Sequence, residues 1–102
     1  MSIFAIVIFM FVFVDNGETE DEPDEISAYV FAEKTIKPRL KAPSTAEFAS
    51  FNNSEITRDR DTFYVRSYVD SQNGFGAMVR SNFEVRVFFK DGKAKTRILH
   101  FE

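Results

Sequence analysis

Asp70, Asn73 and Arg80 are the side chains in this sequence whose types and spacing most suggest chemistry. A carboxylate, a carboxamide and a guanidinium within eleven residues can form a small polar site. They can equally form a hydrogen-bonded clasp, because Asp and Asn commonly accept from turn amides and Arg reaches across to a carboxylate. Tyr64, Arg66, Tyr68 and Arg86 form a second constellation, in which aromatic and basic side chains alternate. On one sheet face they would make a binding surface for a protein partner, anionic headgroups or stacked bases. Nucleic acid is not the expected partner, because no ribonucleoprotein-type Gly-aromatic motif accompanies them.

Other chemistries are excluded by composition and motif. The chain has no Cys, which removes disulfides, thiolate metal sites, cysteine nucleophiles and lipidation at cysteine. His100 is the only histidine, so no His pair or His-rich metal site can be built. Ser44 and Glu47 match a helix capping box, and no histidine lies near them to make a nucleophile and base. No P-loop, dinucleotide fingerprint or zinc motif appears, so no cofactor is implied. The expectation is a protein that is not an enzyme.

The elements that must position these residues read clearly around two turns. Thr62 to Lys90 is rich in Val, Phe and Tyr on both sides of Asn73-Gly74, which marks an antiparallel hairpin. Asp91-Gly92 marks a second hairpin, leading to a last strand from about Lys93 to Phe101, and Ser54 to Arg58 reads as a short first strand. Phe83, Val85, Val87 and Phe89 form one inward set, and Phe63, Val65 and Val69 another. A strict two-residue loop at Asn73-Gly74 would pair Tyr64 with Phe83 and turn the second set outward. The two patterns agree only if an irregularity intervenes, expected at Gly74-Phe75-Gly76. A further bend or bulge is expected near Arg80 to Asn82, since so long a strand cannot stay straight.

Before the strands, Glu25 to Lys41 carries Ala28, Ala32, Ile36 and Leu40 at helical spacing, with Tyr29 beside them and Asp24 placed to cap. Pro38 predicts a kink or restart there. A short helical turn is expected at Ser44 or Thr45, with Phe48 and Phe51 anchoring in the core. The fold expected is α+β: one N-terminal amphipathic helix packed on a curved four-stranded antiparallel meander, over residues 25–102, preceded by an apolar N-terminal segment.

That segment, residues 1–14, contains IFAIVIFMFVFV over residues 3–14, without a polar side chain. As a helix these twelve residues rise about 18 Å against a hydrocarbon core of about 30 Å. They read as a membrane anchor or uncleaved signal-anchor, with a cleaved signal or a strand of the folded domain as alternatives. Residues 15–24 then read as an acidic linker. Asp15 to Glu25 holds seven acids and no base, whereas Ile26 to Glu102 holds thirteen bases against nine acids. The arrangement predicts a domain outside the cytoplasm, held at the membrane through residues 3–14, or secreted if the segment is cleaved.

LKAPSTAEF (40–48) followed by YVRSYVDSQNGFGAMVRSNFEVRV (64–87) resembles a pattern in an uncharacterised family of small bacterial and phage-associated proteins, anchored to membranes directly or by lipid. The block VDSQNGFGAMVR carries the likeness most specifically, through Asp70, Asn73, Gly76 and Arg80. The resemblance implies a helix-plus-meander domain outside the cytoplasm and a role in the envelope or in phage-related defence. Without cysteine, the apolar run is the only anchor such a member would have. Two functions therefore stand open: a non-enzymatic, membrane-tethered extracytoplasmic binding module, or a soluble domain using the concavity between helix and sheet for a small ligand or a simple reaction. The identity of a protein partner and the oligomeric state stay open too.

Overall fold

In the computed structural model, which describes residues 24–102, Asp24 opens the fold as a helix cap. Its carboxylate accepts the Ser27 amide at 2.7 Å, and helix α1 runs over Glu25–Ile36. The expected anchor, and the expected linker apart from Asp24, lie outside the described residues. Among the described residues no helix is long and apolar enough to cross a membrane.

Helix α1 buries Ala28, Tyr29, Ala32 and Ile36 along one stripe. The two alanines have no exposed surface, and their small side chains let the helix backbone approach the sheet closely. The helix stops sooner than its periodicity predicts. Pro38 supplies no amide and its ring opposes the Lys34 carbonyl, so the chain tightens into a 3-10 turn over Lys37–Arg39 and delivers Leu40 to the core.

The capping box at Ser44 does not form. A 3-10 turn spans Pro43–Thr45, after which Glu47–Phe48 is extended as strand β1, paired with Asp70 and Val69. Thr45 secures this segment: its hydroxyl donates to the Ala42 carbonyl at 2.7 Å and accepts the Gln72 amide at 2.9 Å. Sheet pairing and the packing of Phe48 edge-on against Phe83, with centroids 6.1 Å apart, outweigh the local helix signal. Phe51, in a further 3-10 turn over Phe51–Asn53, sits at the rim with its ring edge-on to Tyr29.

Four longer strands follow as an antiparallel meander: β2 (Glu55–Asp59), β3 (Thr62–Gln72), β4 (Met78–Lys90) and β5 (Lys93–Phe101). With β1 the sheet has five strands rather than the four expected, and β1 and β2 share one edge of β3. Helix α1 covers one face, which we call inner, and the other is the outer face.

Strands β3 and β4 pair without interruption from Thr62↔Phe88 to Gln72↔Met78. Phe63 faces Val87, Val65 faces Val85 and Ser67 faces Phe83, so the two apolar sets share the inner face. The loop makes this possible. The Asn73 amide donates to the Ala77 carbonyl at 2.9 Å and the Gly76 amide to the Asn73 carbonyl at 3.0 Å, closing a three-residue loop. Gly76, at φ 82°, takes the left-handed position that a strict Asn-Gly turn would have required at Asn73 and Gly74. The Asp91-Gly92 turn does adopt positive φ at both residues, 53° and 74°.

No register shift marks Arg80 to Asn82. The shift lies between Glu84 and Val85 in the pairing of β4 with β5, where Leu99 is the extra residue. Phe83 and Val85 both face the core, and their partners Phe101 and Ile98 are three residues apart. An inserted residue restores the parity that an odd spacing breaks, so Ile98 and Phe101 both turn inward. The core they complete includes Phe63, Val65, Val69, Val85 and Val87 with no exposed surface, and Phe89 packs edge-on to both Phe31 and Phe63.

Gly76→Ala tests the loop's role. Open space surrounds the position a Cβ would take, so the cost is conformational, about 1–2 kcal/mol in urea unfolding, with no steric share.

Candidate functional site

Register brings Asp70 and Arg80 directly opposite each other across β3 and β4. Arg80 Nε donates to Asp70 Oδ1 at 2.8 Å and its Nη2 to Oδ2 at 3.0 Å, a two-point pairing that fixes the guanidinium plane. The same guanidinium lies over the Tyr68 ring, 3.7 Å from its centroid. Hydrogen bonding from Arg80 holds the Asp70 carboxyl below its ordinary value, and the bond to Asp70 raises Arg80 in turn. Asn73 does not join them. Its carboxamide oxygen accepts the Phe75 and Ala77 amides at 2.9 and 3.1 Å, so it organises the hairpin loop instead.

Tyr64, Arg66, Tyr68 and Arg86 do share a face. The uninterrupted register puts the even-numbered residues of β3 and β4 on the outer face, with Tyr64 opposite Arg86 and Arg66 opposite Glu84. Pairing extends the latter into a row of four, Glu55, Arg66, Glu84 and His100, across β2 to β5. Arg66 stands 3.4 Å from Glu55 and 3.7 Å from Glu84, and His100 Nε2 stands 3.6 Å from the Glu102 carboxylate. Glu55, Arg66, Asn82, Glu84 and His100 are among the residues lining an open depression of about 420 Å³.

The chemistry of that row is mutual neutralisation. Both glutamates are held by Arg66, and ion pairs this exposed contribute at most about 1 kcal/mol each. Among the described residues, no group of three or more His, Cys, Asp or Glu is placed to hold a metal ion.

A partly buried polar cluster beneath α1 was not visible in the sequence. The Tyr29 hydroxyl donates to the Ala49 carbonyl, and the Ser54 and Ser67 hydroxyls meet at 2.7 Å beside it. Burial raises the Tyr29 phenol, and burial likewise raises the carboxyl of Glu33, one helical turn further on. Tyr29 looks like an ordinary member of an apolar stripe. Only the register of β2 on β3 and the path of the 49–54 segment bring the serines to it. Its donor is satisfied, so it fastens the helix to the segment before β2 and leaves no free reactive group.

Comparison with known proteins finds no family model, curated protein or solved structure that matches the chain.

The Asp70–Arg80 pair carries a pH signature. Because the folded carboxyl is held low, its stabilising contribution is present above the unfolded value, about 3.9, and is lost as pH falls through the folded value. Urea unfolding at stepped pH should show the native chain more stable than Asp70→Asn at neutral pH, with the gap closing below about pH 4.

Proposed function

We propose that this chain is a non-enzymatic binding module, tethered to a membrane by residues 3–14 and presenting the outer face of its sheet to a protein partner outside the cytoplasm. The observation that carries the binding half of this reading is the division of labour between the two sheet faces. The inner face is packed by Ala28, Ala32, Ile36 and the phenylalanines, so the concavity that a small-ligand or enzymatic reading needs is filled with apolar side chains. The outer face carries Tyr64, Tyr68, Arg66 and Arg86, with large aromatic area beside cationic side chains, the composition typical of recognition surfaces.

The tether half rests on sequence. A twelve-residue apolar run followed at once by an acidic, Gly- and Pro-containing stretch has the pattern of an anchor and a spacer. The likeness of residues 40–48 and 64–87 to anchored bacterial and phage-associated proteins points the same way, and suggests work in the envelope or in defence connected with phage.

Fractionation of cells expressing the full chain tests the tether. The expected outcome is a protein that stays with membranes through a high-salt wash and is cleaved by protease added to intact cells. A full chain found in the soluble fraction would remove the tether reading and bring the small-ligand alternative forward.

A further inference from the structure

The charges of the outer face are sorted along its length. At one end Asp70 is paired with Arg80, and Glu55 and Glu84 with Arg66, while the exposed Glu47 stands opposite Asp70. At the other end the pairing of β4 with β5 sets like charges opposite each other. Arg86 faces Arg97, Lys90 faces Lys93, and Lys95 stands between these rows opposite Phe88. Among the described residues, none of these five cations has a carboxylate within ion-pairing distance, although Asp59, Asp61 and Asp91 lie toward the same end of the domain. Like charges directly opposite on a sheet oppose folding. Two such rows on one face, beside rows that are neutralised, are a cost that internal packing does not require.

We infer that this strip of Arg86, Lys90, Lys93, Lys95 and Arg97 is a docking surface for an anionic phospholipid bilayer. The step rests on the tether proposed above, because a linker of ten residues spans at most about 35 Å and so keeps the domain near the membrane surface. Charge complementarity supplies the rest. Lys93, Lys95 and Arg97 are exposed, and Tyr64 and Phe88 offer half-buried rings among the cations, suited to the headgroup region. The domain would then lie with this end of its outer face on the headgroups, leaving Tyr68, Asp70 and Arg80 at the far end for a protein.

The test separates binding from folding. Lys93→Glu/Arg97→Glu converts both like-charge rows into opposite-charge pairs, so the double variant should unfold at higher urea concentration than the native chain while docking more weakly. The absence of Cys lets a single dye be placed at Thr57→Cys, an exposed outer-face position opposite Tyr64. The full chain is reconstituted in vesicles of phosphatidylcholine alone or mixed with phosphatidylglycerol, and dye quenching by a headgroup-labelled lipid reports docking.

The result expected is quenching that requires phosphatidylglycerol, falls with salt, and persists in the charge-conserving Lys93→Arg/Arg97→Lys. Each basic residue near an anionic surface is worth about fivefold, so the Glu variant should lower the docked-to-free ratio by at least about 25-fold. Equal quenching in the two lipid compositions, or no loss in the Glu variant, overturns the inference. Binding of a labelled oligothymidine that the Glu variant abolishes, with no response to phosphatidylglycerol, reassigns the strip to single-stranded nucleic acid. Retention on phosphatidylcholine vesicles through a high-salt wash reports the tether separately. A chain released there that still binds phosphatidylglycerol vesicles through the strip has lost the tether and kept the docking surface.

Discussion

The uninterrupted pairing of β3 with β4 is the constraint from which the rest of this domain follows. Eleven consecutive cross-strand pairs, Thr62↔Phe88 to Gln72↔Met78, set odd residues against odd and even against even. The odd set holds the buried apolar residues of both strands, with Ser67, Ser71 and Ser81 among them, and the even set is polar or aromatic apart from Met78, so one register satisfies burial on both at once. A shift by one residue would put Val65 and Val87 on opposite faces and leave Tyr64 and Arg86 competing for the core. The Asp70–Arg80 pair, the Glu55–Arg66–Glu84 row and the packing of α1 all presuppose this register. A single glycine able to hold φ 82° closes the loop that fixes it.

A second irregularity does for β5 what the loop does for β3. Leu99 adds one residue opposite the Glu84/Val85 step, and the strand thereby turns Ile98 and Phe101 inward and His100 outward. The helix then closes the inner face through its smallest residues, Ala28 and Ala32, with Ile36 and Tyr29 filling the space beside them. Tyr29 combines an apolar ring that packs against Phe51 with a hydroxyl that meets the Ala49 carbonyl. Helix, connecting segment and sheet edge are thus joined at one side chain.

The outer face shows how a sheet can hold two electrostatic regimes side by side. Strand pairing fixes which charges stand opposite each other, and side chains on neighbouring strands lie too close to escape one another's field. Where Glu55, Glu84 and Asp70 are interposed, the guanidiniums are held and oriented. Where Phe88 and like-charged partners are interposed, five cations share a strip with no internal counter-ion in range among the described residues. Orientation of Arg80 by Asp70 and Tyr68 and the spread of charge along β5 are different outcomes of the same ladder geometry.

Sequence alone determined the features that depend on neighbours along the chain. The cap at Asp24, the apolar stripe of α1, the break at Pro38, the Asp91-Gly92 turn and the alternation of the strands are all local, and the structure has each of them. Composition likewise excluded thiol chemistry and paired histidines. Tertiary structure decided what depends on contacts between distant residues. Ser44 to Glu47 satisfies a helix rule and becomes a turn and a strand, because Thr45 and Phe48 gain more from Gln72 and Phe83 than a capping box supplies. Asn73 looks like a partner of Asp70 and Arg80, yet its amide is consumed by the loop that brings those two together. The bulge at Leu99, the serines beside Tyr29 and the like-charged rows of β4 and β5 have no local signature. Each is set by register, and register is chosen by the burial of whole strands at once, so no short stretch of sequence contains it.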